Sequence, residues 1–219
     1  MVTKNNILIT AGSTWVPIDK VRVISNIASG KTGFILANKF KEFGARVTLL
    51  LGPGDFCGSR ISGVKIISFK YFSELDRLLR NELKKRIYAA VIHTAAVADY
   101  RPKKIIRNKI SSRLANWKIS LVSTKKLVNN LKDYDPGLIA VGFKFEPDAG
   151  KKKLVEKSKR LLKQANLDIV VANSNKNKTY QAYILDTSEK YGPFFTKSAM
   201  AVYLSKIVKD RLLKIKVKS

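Results

Sequence analysis

Six short apolar runs, spaced by stretches of helical periodicity, constrain this chain more than any other feature. Asn6-Ile7-Leu8-Ile9-Thr10 and residues 46–51, 64–69, 89–93, 137–143 and 168–173 are too short for helices and read as buried strands. Between them, apolar residues recur at helical spacing over about 31–43, 72–86, 124–133 and 151–165, and again over 197–213. Alternation of this kind gives a parallel sheet with helices on both faces. The expected class is therefore α/β: a Rossmann-like, mostly parallel sheet, with residues 180–186 and 193–196 as a short antiparallel addition. A length of 219 residues suits one domain, 1–219, with a sizeable core.

The first strand and first helix are joined by an unusually long connection, Gly12 to Gly33. A link of roughly 20 residues in a compact domain usually carries function. Gly12, Ser13 and Thr14 let the backbone approach a ligand, and Ser29-Gly30-Lys31-Thr32 falls where a helix begins. Free N–H groups and the helix dipole there favour an anion. Lys31 and Arg22 add positive charge, and arginine can grip a phosphate or carboxylate with two N–H groups. A P-loop does not fit, because Ser25 stands where the pattern needs glycine and the preceding strand ends too far upstream. A dinucleotide-binding G-x-G-x-x-G does not follow the first strand either.

The alternation breaks after the fourth strand. Thr94-Ala95-Ala96-Val97-Ala98-Asp99 places small residues at a strand end, and an irregular basic segment, Lys103 to Asn116, leads to an alternating run at 117–122. Residues 100–122 are expected to form a projecting β-arm that covers a site or clasps a second subunit. Asn173 is expected at the carboxyl end of the sixth strand, on the same rim as Gly12, Ala95 and Phe143. His93, the only histidine, reads as a packed imidazole rather than a general base.

Composition removes several classes. One histidine and one cysteine, Cys57, cannot make a standard zinc site or an internal disulfide. No run of 18 apolar residues and no signal-peptide pattern is present, so a cytoplasmic location is expected. A net charge of +27 permits nucleic-acid binding, yet the lysines are spread along the chain without a recognised nucleic-acid motif. The basic segment Lys206 to Lys218 reads as a solvated helix face. Such a field also steers polyanionic substrates. Neither a G-x-S-x-G elbow nor a paired-carboxylate pattern appears. What remains is a rim of small residues, amides and cations, suited to nucleotidyl or phosphoryl chemistry run by positioning and charge stabilisation.

Thr10-Ala11-Gly12-Ser13-Thr14, Pro17-Ile18-Asp19-Lys20-Val21-Arg22, Ile24-Ser25-Asn26 and Ser29-Gly30-Lys31 with Gly33 resemble the signature of phosphopantothenate–cysteine ligase, an enzyme of coenzyme A biosynthesis. Ala95 to Pro102 resembles the second motif of that family, and Val141-Gly142-Phe143 and Val170-Val171-Ala172-Asn173 its later strand ends. The resemblance implies ligation of 4′-phosphopantothenate to L-cysteine through an acyl-nucleotide, with CTP or ATP as co-substrate and Mg²⁺ required. It implies catalytic roles for Asn26, Arg22 and the arm residue Lys109. Phosphate or nucleotide contacts fall on Gly12, Ser13, Thr14, Ser29, Gly30, Lys31, Ala95, Asp99 and Phe143, and the intermediate borders Ala95 and Ala96. Two helix lysines of the family pattern are out of register here, with Lys159 and Lys163 nearest to them.

The resemblance further implies a homodimer and no metal-binding side chains, the Mg²⁺ travelling with the triphosphate. A separate flavin-dependent decarboxylase is expected, because the flavin domain fused to many bacterial members is not in this chain. The sequence departs from the family at Ser111 and Ser112, where further lysines are usual, and at Ser123-Thr124-Lys125-Lys126-Leu127, which replaces an Asn-Pro-Asp-Ile-type turn. Other readings are a related nucleotide-dependent ligase with a different substrate, a basic nucleic-acid-binding α/β module, and an NAD(P)-dependent oxidoreductase on fold alone.

Overall fold

The computed structural model describes residues 5–111, 116–176 and 179–217. Ser112, named above as a departure, and Lys218 of the terminal basic segment lie outside the described residues.

The chain opens with β1 (Asn6–Ala11), followed by a two-stranded ribbon, β2 (Trp15–Pro17) and β3 (Val23–Ser25), and then α1 (Lys31–Glu42). Gly44, at φ +84°, lets the chain reverse after α1 into β4 (Arg46–Leu51) and β5 (Val64–Ser68). Helix α2 (Phe72–Lys84) starts where the Glu74 carboxylate accepts the backbone N–H groups of Lys70 and Tyr71 at 2.7 and 3.1 Å. It leads into β6 (Tyr88–His93), the arm strands β7 (Tyr100–Pro102) and β8 (Leu121–Ser123), and a 3-10 turn (Leu127–Asn130) that runs into the short α3 (Leu131–Tyr134). The remainder comprises β9 (Ile139–Phe145), α4 (Lys151–Gln164), β10 (Ile169–Lys176), β11 (Thr179–Leu185), β12 (Lys190–Phe194) and α5 (Lys197–Val217).

Eight strands form one sheet in the order β12-β11-β10-β9-β6-β1-β4-β5, all running the same way except β11, which pairs antiparallel with β10 and β12 at one edge. Strict alternation along each strand sorts the core. Ile7, Ile9, Leu49, Ile92 and Val171 face α1 and α5, whereas Leu8, Leu50, Val91 and Val170 face α2 and α4. Each such fully buried side chain contributes about 1.5–3 kcal/mol over its exposed state. The strand order reverses between β1 and β6, which leaves a crevice at their carboxyl ends, where open α/β sheets bind ligands.

Several expectations need correction. The long connection after β1 is not a plain loop, because Trp15, Val16 and Pro17 pair with Ser25, Ile24 and Val23. Within the expected strand at 117–122, only Leu121–Ser123 forms, pairing with Tyr100–Pro102. The expected helix over 124–133 is delayed. Thr124 donates its N–H to Asp99 O at 2.9 Å and its hydroxyl to Ala98 O at 2.5 Å, which keeps 124–126 extended until the 3-10 turn. β10 runs on to Lys176 because β11 pairs with it throughout, so Asn173 is mid-strand, opposite Ala182, instead of at a strand end.

Candidate active site

Beyond Ala11, β1 continues as Gly12-Ser13-Thr14 between the ends of β4 and β6. Ser13 N–H donates to Pro53 O at 2.8 Å, and Thr14 N–H to Ala96 O at 3.3 Å. The buried Thr14 hydroxyl accepts Ala98 N–H at 2.9 Å, and the Ser13 hydroxyl donates to Pro53 O at 3.3 Å. A Cβ on Gly12, whose φ is +81°, would sit 2.5 Å from Gly52 O. These three residues therefore tie the strand ends together. The Ser13 and Thr14 amides and hydroxyls are thereby engaged within the fold.

The opening of α1 is organised by two glycines. Gly30 takes φ +80° at the cap, with the Ser29 hydroxyl accepting Lys31 N–H at 3.2 Å. A Cβ on Gly33 would lie 2.4 Å from the Ala11 Cβ, so the helix can press on β1 only because Gly33 lacks one. Together with Gly12, these residues rebuild in space the three-glycine strand–turn–helix arrangement that the sequence lacks as a contiguous motif. Residues 13–29, seventeen in all, are inserted between its first and second members.

An open cleft of about 870 Å³ lies over the carboxyl ends of β6 and β9. Asn26, Ala95, Ala96, Asp99 and Phe143 line it together. Asn26 reaches it from the ribbon's far end, with Nδ2 donating to Val97 O at 3.0 Å, which leaves one amide N–H and the side-chain oxygen for a ligand. Apolar Leu127, Val128 and Leu161 form part of the lining. Five cations, Lys125, Lys126, Lys144, Lys157 and Arg160, line it against one carboxylate, Asp99, which Lys126 pairs across the mouth. Glu146 holds Lys157 at 2.5 Å and Lys144 at 3.0 Å. Those two bonds outweigh burial and keep the Glu146 carboxyl below the usual glutamate range. Two polar partners, Tyr134 and Asp76, outweigh desolvation at Lys125 and raise its pKa.

Other expected site residues lie elsewhere. Ser29, Gly30 and Lys31 stand at the α1 terminus and do not line this cleft. Arg22 is engaged at the arm: it pairs with Asp19 at 2.9 Å, donates to Ile110 O at 3.3 Å and lies 5.2 Å from the centre of the Trp117 ring. Burial pushes the Asp19 carboxyl up, but the N–H groups of Val21, Arg22 and Ile110 and the Arg22 charge hold it below its ordinary value. Lys109, next to Ile110, is exposed on the arm and does not reach the cleft. Helical spacing puts Lys157, Arg160, Leu161 and Gln164 on the cleft face of α4. That turns Lys159 and Lys163 to the opposite, exposed side. Asn173 is likewise absent from the lining.

Sequence reasoning missed Lys144, Lys157 and Arg160, and named Lys125 and Lys126 only as part of a departure from the family pattern. The helical phase of α4, set by buried Leu154, Ser158 and Leu162, is the signal that identifies Lys157 and Arg160. Among the described residues no group of three or more His, Cys, Asp or Glu side chains converges to hold a metal ion, and no helix is long and apolar enough to cross a membrane.

Comparison with known proteins agrees with this architecture. The coenzyme A biosynthesis bifunctional protein CoaBC of Borreliella burgdorferi is 35% identical over 212 residues, covering 92% of this chain and 52% of that protein. The chain thus spans about half the length of that relative. A crystal structure of the C-terminal domain of a CoaBC protein superposes with a TM-score of 0.76 at 26% identity, covering 96% of this chain and 95% of that one. Cab2, solved as its H337A mutant in complex with phosphopantothenate-cysteine, shares the fold with a TM-score of 0.79 at 17% identity over 99% of this chain and 90% of its own. Residues 2–212 match the profile of the DNA/pantothenate metabolism flavoprotein C-terminal domain, and the chain belongs to that family.

Proposed function

We propose that the cleft ligates 4′-phosphopantothenate to L-cysteine by way of an acyl-nucleotide. In the first step a carboxylate oxygen attacks the α-phosphorus of CTP or ATP, and the bond to pyrophosphate breaks. In the second, the cysteine amine attacks the acyl carbon, loses a proton, and the carbon–oxygen bond to the nucleoside monophosphate breaks.

The observation that carries this reading is the convergence of Asn26, Ala95, Ala96, Asp99 and Phe143 on one cation-lined cleft at the strand ends. The Asn26 amide can hydrogen-bond a mixed anhydride without competing as a nucleophile. Lys126, Lys144, Lys157 and Arg160 offset charge on the triphosphate and on departing pyrophosphate. Mg²⁺ would be held mainly by the triphosphate oxygens, with Asp99 the one carboxylate the cleft offers, and would neutralise phosphate charge. The family relationship supports the reading, as does the product bound in Cab2.

Lys109, remote from its own cleft, would complete the site of a second copy through the arm, in a homodimer. Decarboxylation of the product would fall to a flavin-dependent unit, and the reaction would run in the cytoplasm. The test is direct: incubate the protein with phosphopantothenate, cysteine, Mg²⁺ and either nucleotide, and follow pyrophosphate and amide. Amide formation with one nucleotide, reduced about 10²-fold or more in Asn26→Ala, is expected. No amide with either nucleotide overturns the proposal.

A further inference from the structure

His93 lies at the end of β6 with its imidazole against the buried Thr10 side chain and its edge on the cleft. Thr10 Oγ1 is 2.9 Å from His93 Nδ1 and accepts Ala95 N–H at 3.2 Å. A hydroxyl has one proton to give, and a buried one must place it. Thr10 is fully buried, and His93 Nδ1 is the one acceptor within its reach among the described residues. The hydroxyl therefore donates to Nδ1. If Nδ1 carried the proton instead, the Thr10 hydroxyl hydrogen would be stranded, at the full desolvation cost of an unmade bond. That accounting fixes the tautomer: Nδ1 is bare and Nε2 carries the hydrogen.

Burial alone pushes the His93 pKa down to about 4, so the ring is neutral at physiological pH. Such a ring is a poor proton acceptor for catalysis, but a well-placed neutral donor. Nδ1 is turned to Thr10 and Nε2 is not among the buried polar atoms without a partner, which leaves Nε2–H facing the cleft. The surrounding lining includes Leu127, Val128 and Leu161, apolar walls that suit a flat heteroaromatic ring better than a phosphate. The cations that suit phosphates, Lys126, Lys144, Lys157 and Arg160, line the same cleft.

We propose that His93 Nε2–H binds an acceptor atom on the base of the nucleotide co-substrate, and that Thr10, through Ala95 N–H on one side and Nδ1 on the other, is the positioning residue that holds it in that role. The proposal rests on the nucleotide-dependent ligase reading. It adds a residue whose part in that reaction is binding and orientation of the base, with no proton transferred.

Because the sequence holds a single histidine, ¹⁵N-histidine labelling reports one imidazole. At pH 7 the two-bond ¹⁵N–¹H spectrum of the full chain is expected to show an unprotonated Nδ1 and a protonated Nε2. Addition of CTP or ATP alone should shift Nε2 and its proton. His93→Leu should raise KM for the nucleotide about tenfold, with KM for cysteine unchanged, and His93→Gln, which keeps an N–H donor, should restore most of the loss. Thr10→Val should mix the tautomers and raise the nucleotide KM in step. An Nδ1–H tautomer, or an unmoved Nε2 signal while calorimetry shows the nucleotide bound, overturns the proposal and leaves the ligase reading standing. Wild-type protein that neither binds nucleotide nor forms amide overturns both.

Discussion

Gly33 lies flat against Ala11: a Cβ built on the glycine would stand 2.4 Å from the alanine Cβ and 3.0 Å from Thr94 Oγ1. The facing atoms belong to short side chains on β1 and beside β6, which cannot swing away. Gly33→Ala must push α1 off the sheet, an overpacking cost of about 1–3 kcal/mol. The gain in helix propensity, about 1 kcal/mol, offsets part of it. A net loss of stability is expected, read as a lower urea midpoint, and an unchanged or higher midpoint would show that the seam is loose.

Asp19 is the anchor of the arm. Its carboxylate accepts Val21 N–H and Arg22 N–H at 2.8 and 2.7 Å, pairs with the Arg22 guanidinium, and accepts Ile110 N–H at 3.3 Å. Asp19→Asn removes the charge that these donors share and should free the segment around Ile110. Limited trypsin digestion, which finds many lysines and arginines between 100 and 122, should cut the variant faster at the arm while the sheet remains resistant. Equal cutting rates would mean that something other than this clasp orders the arm.

Acid should expose the Glu146 pairings. Lys157 first, and then Lys144, lower its pKa below the ordinary 4.5 against the opposing effect of burial. A carboxyl with a depressed folded-state pKa stabilises the fold fully above its unfolded value. That contribution fades as pH drops from about 4.5 through the folded-state pKa. Glu146→Gln should therefore cost about 1 kcal/mol or less at pH 7, and the difference from wild type should shrink toward zero in strong acid. Denaturant titrations at several pH values between 3 and 7 test it. A difference that stays constant over that range would rule out the ion pairs as its source.

The cleft's excess of cations predicts salt-sensitive nucleotide binding. Exposed charges are screened beyond about 8–10 Å near physiological ionic strength. Affinity for a nucleoside triphosphate should fall as NaCl rises, and Lys157→Ala should weaken binding and flatten that dependence. Calorimetric titration at three salt concentrations measures both slopes. A Lys157→Ala slope equal to that of wild type would place the phosphates elsewhere.

The central strands were legible because burial on both faces demands continuous apolar runs such as Leu49 to Leu51 and Ile139 to Val141. The ribbon was not. Its strands are three residues each, one contains Pro17, and their pairing depends on a turn set by Asp19 and Arg22 rather than on any periodicity. Asn26, Ala95, Ala96, Asp99 and Phe143 could be picked out through motif resemblance, and one cleft holds all five.

For Ser13 and Thr14, a sequence shows that amides exist but not where their hydrogen bonds go. Pro53 and Ala96 use them. Lys159 and Lys163 fall outside the cleft lining for a related reason. The facing of α4 is decided by which residues pack on β9 and β10, and adjacent lysines are indistinguishable until that phase is known. For His93, reading it as packed was half the matter, since a threonine 83 residues away determines which nitrogen is left over.

The split glycine arrangement has one more consequence. A Cβ on Gly30 would meet Gly12 N at 3.5 Å, so the two stems of the 13–29 excursion leave the fold side by side. Strand and helix stay joined at that point however long the excursion is. Between the anchoring bonds of Ser13 and Thr14 and the Ser29 cap, evolution or an engineer can exchange the intervening segment like a tool head on a fixed shaft, retargeting the chemistry above the sheet.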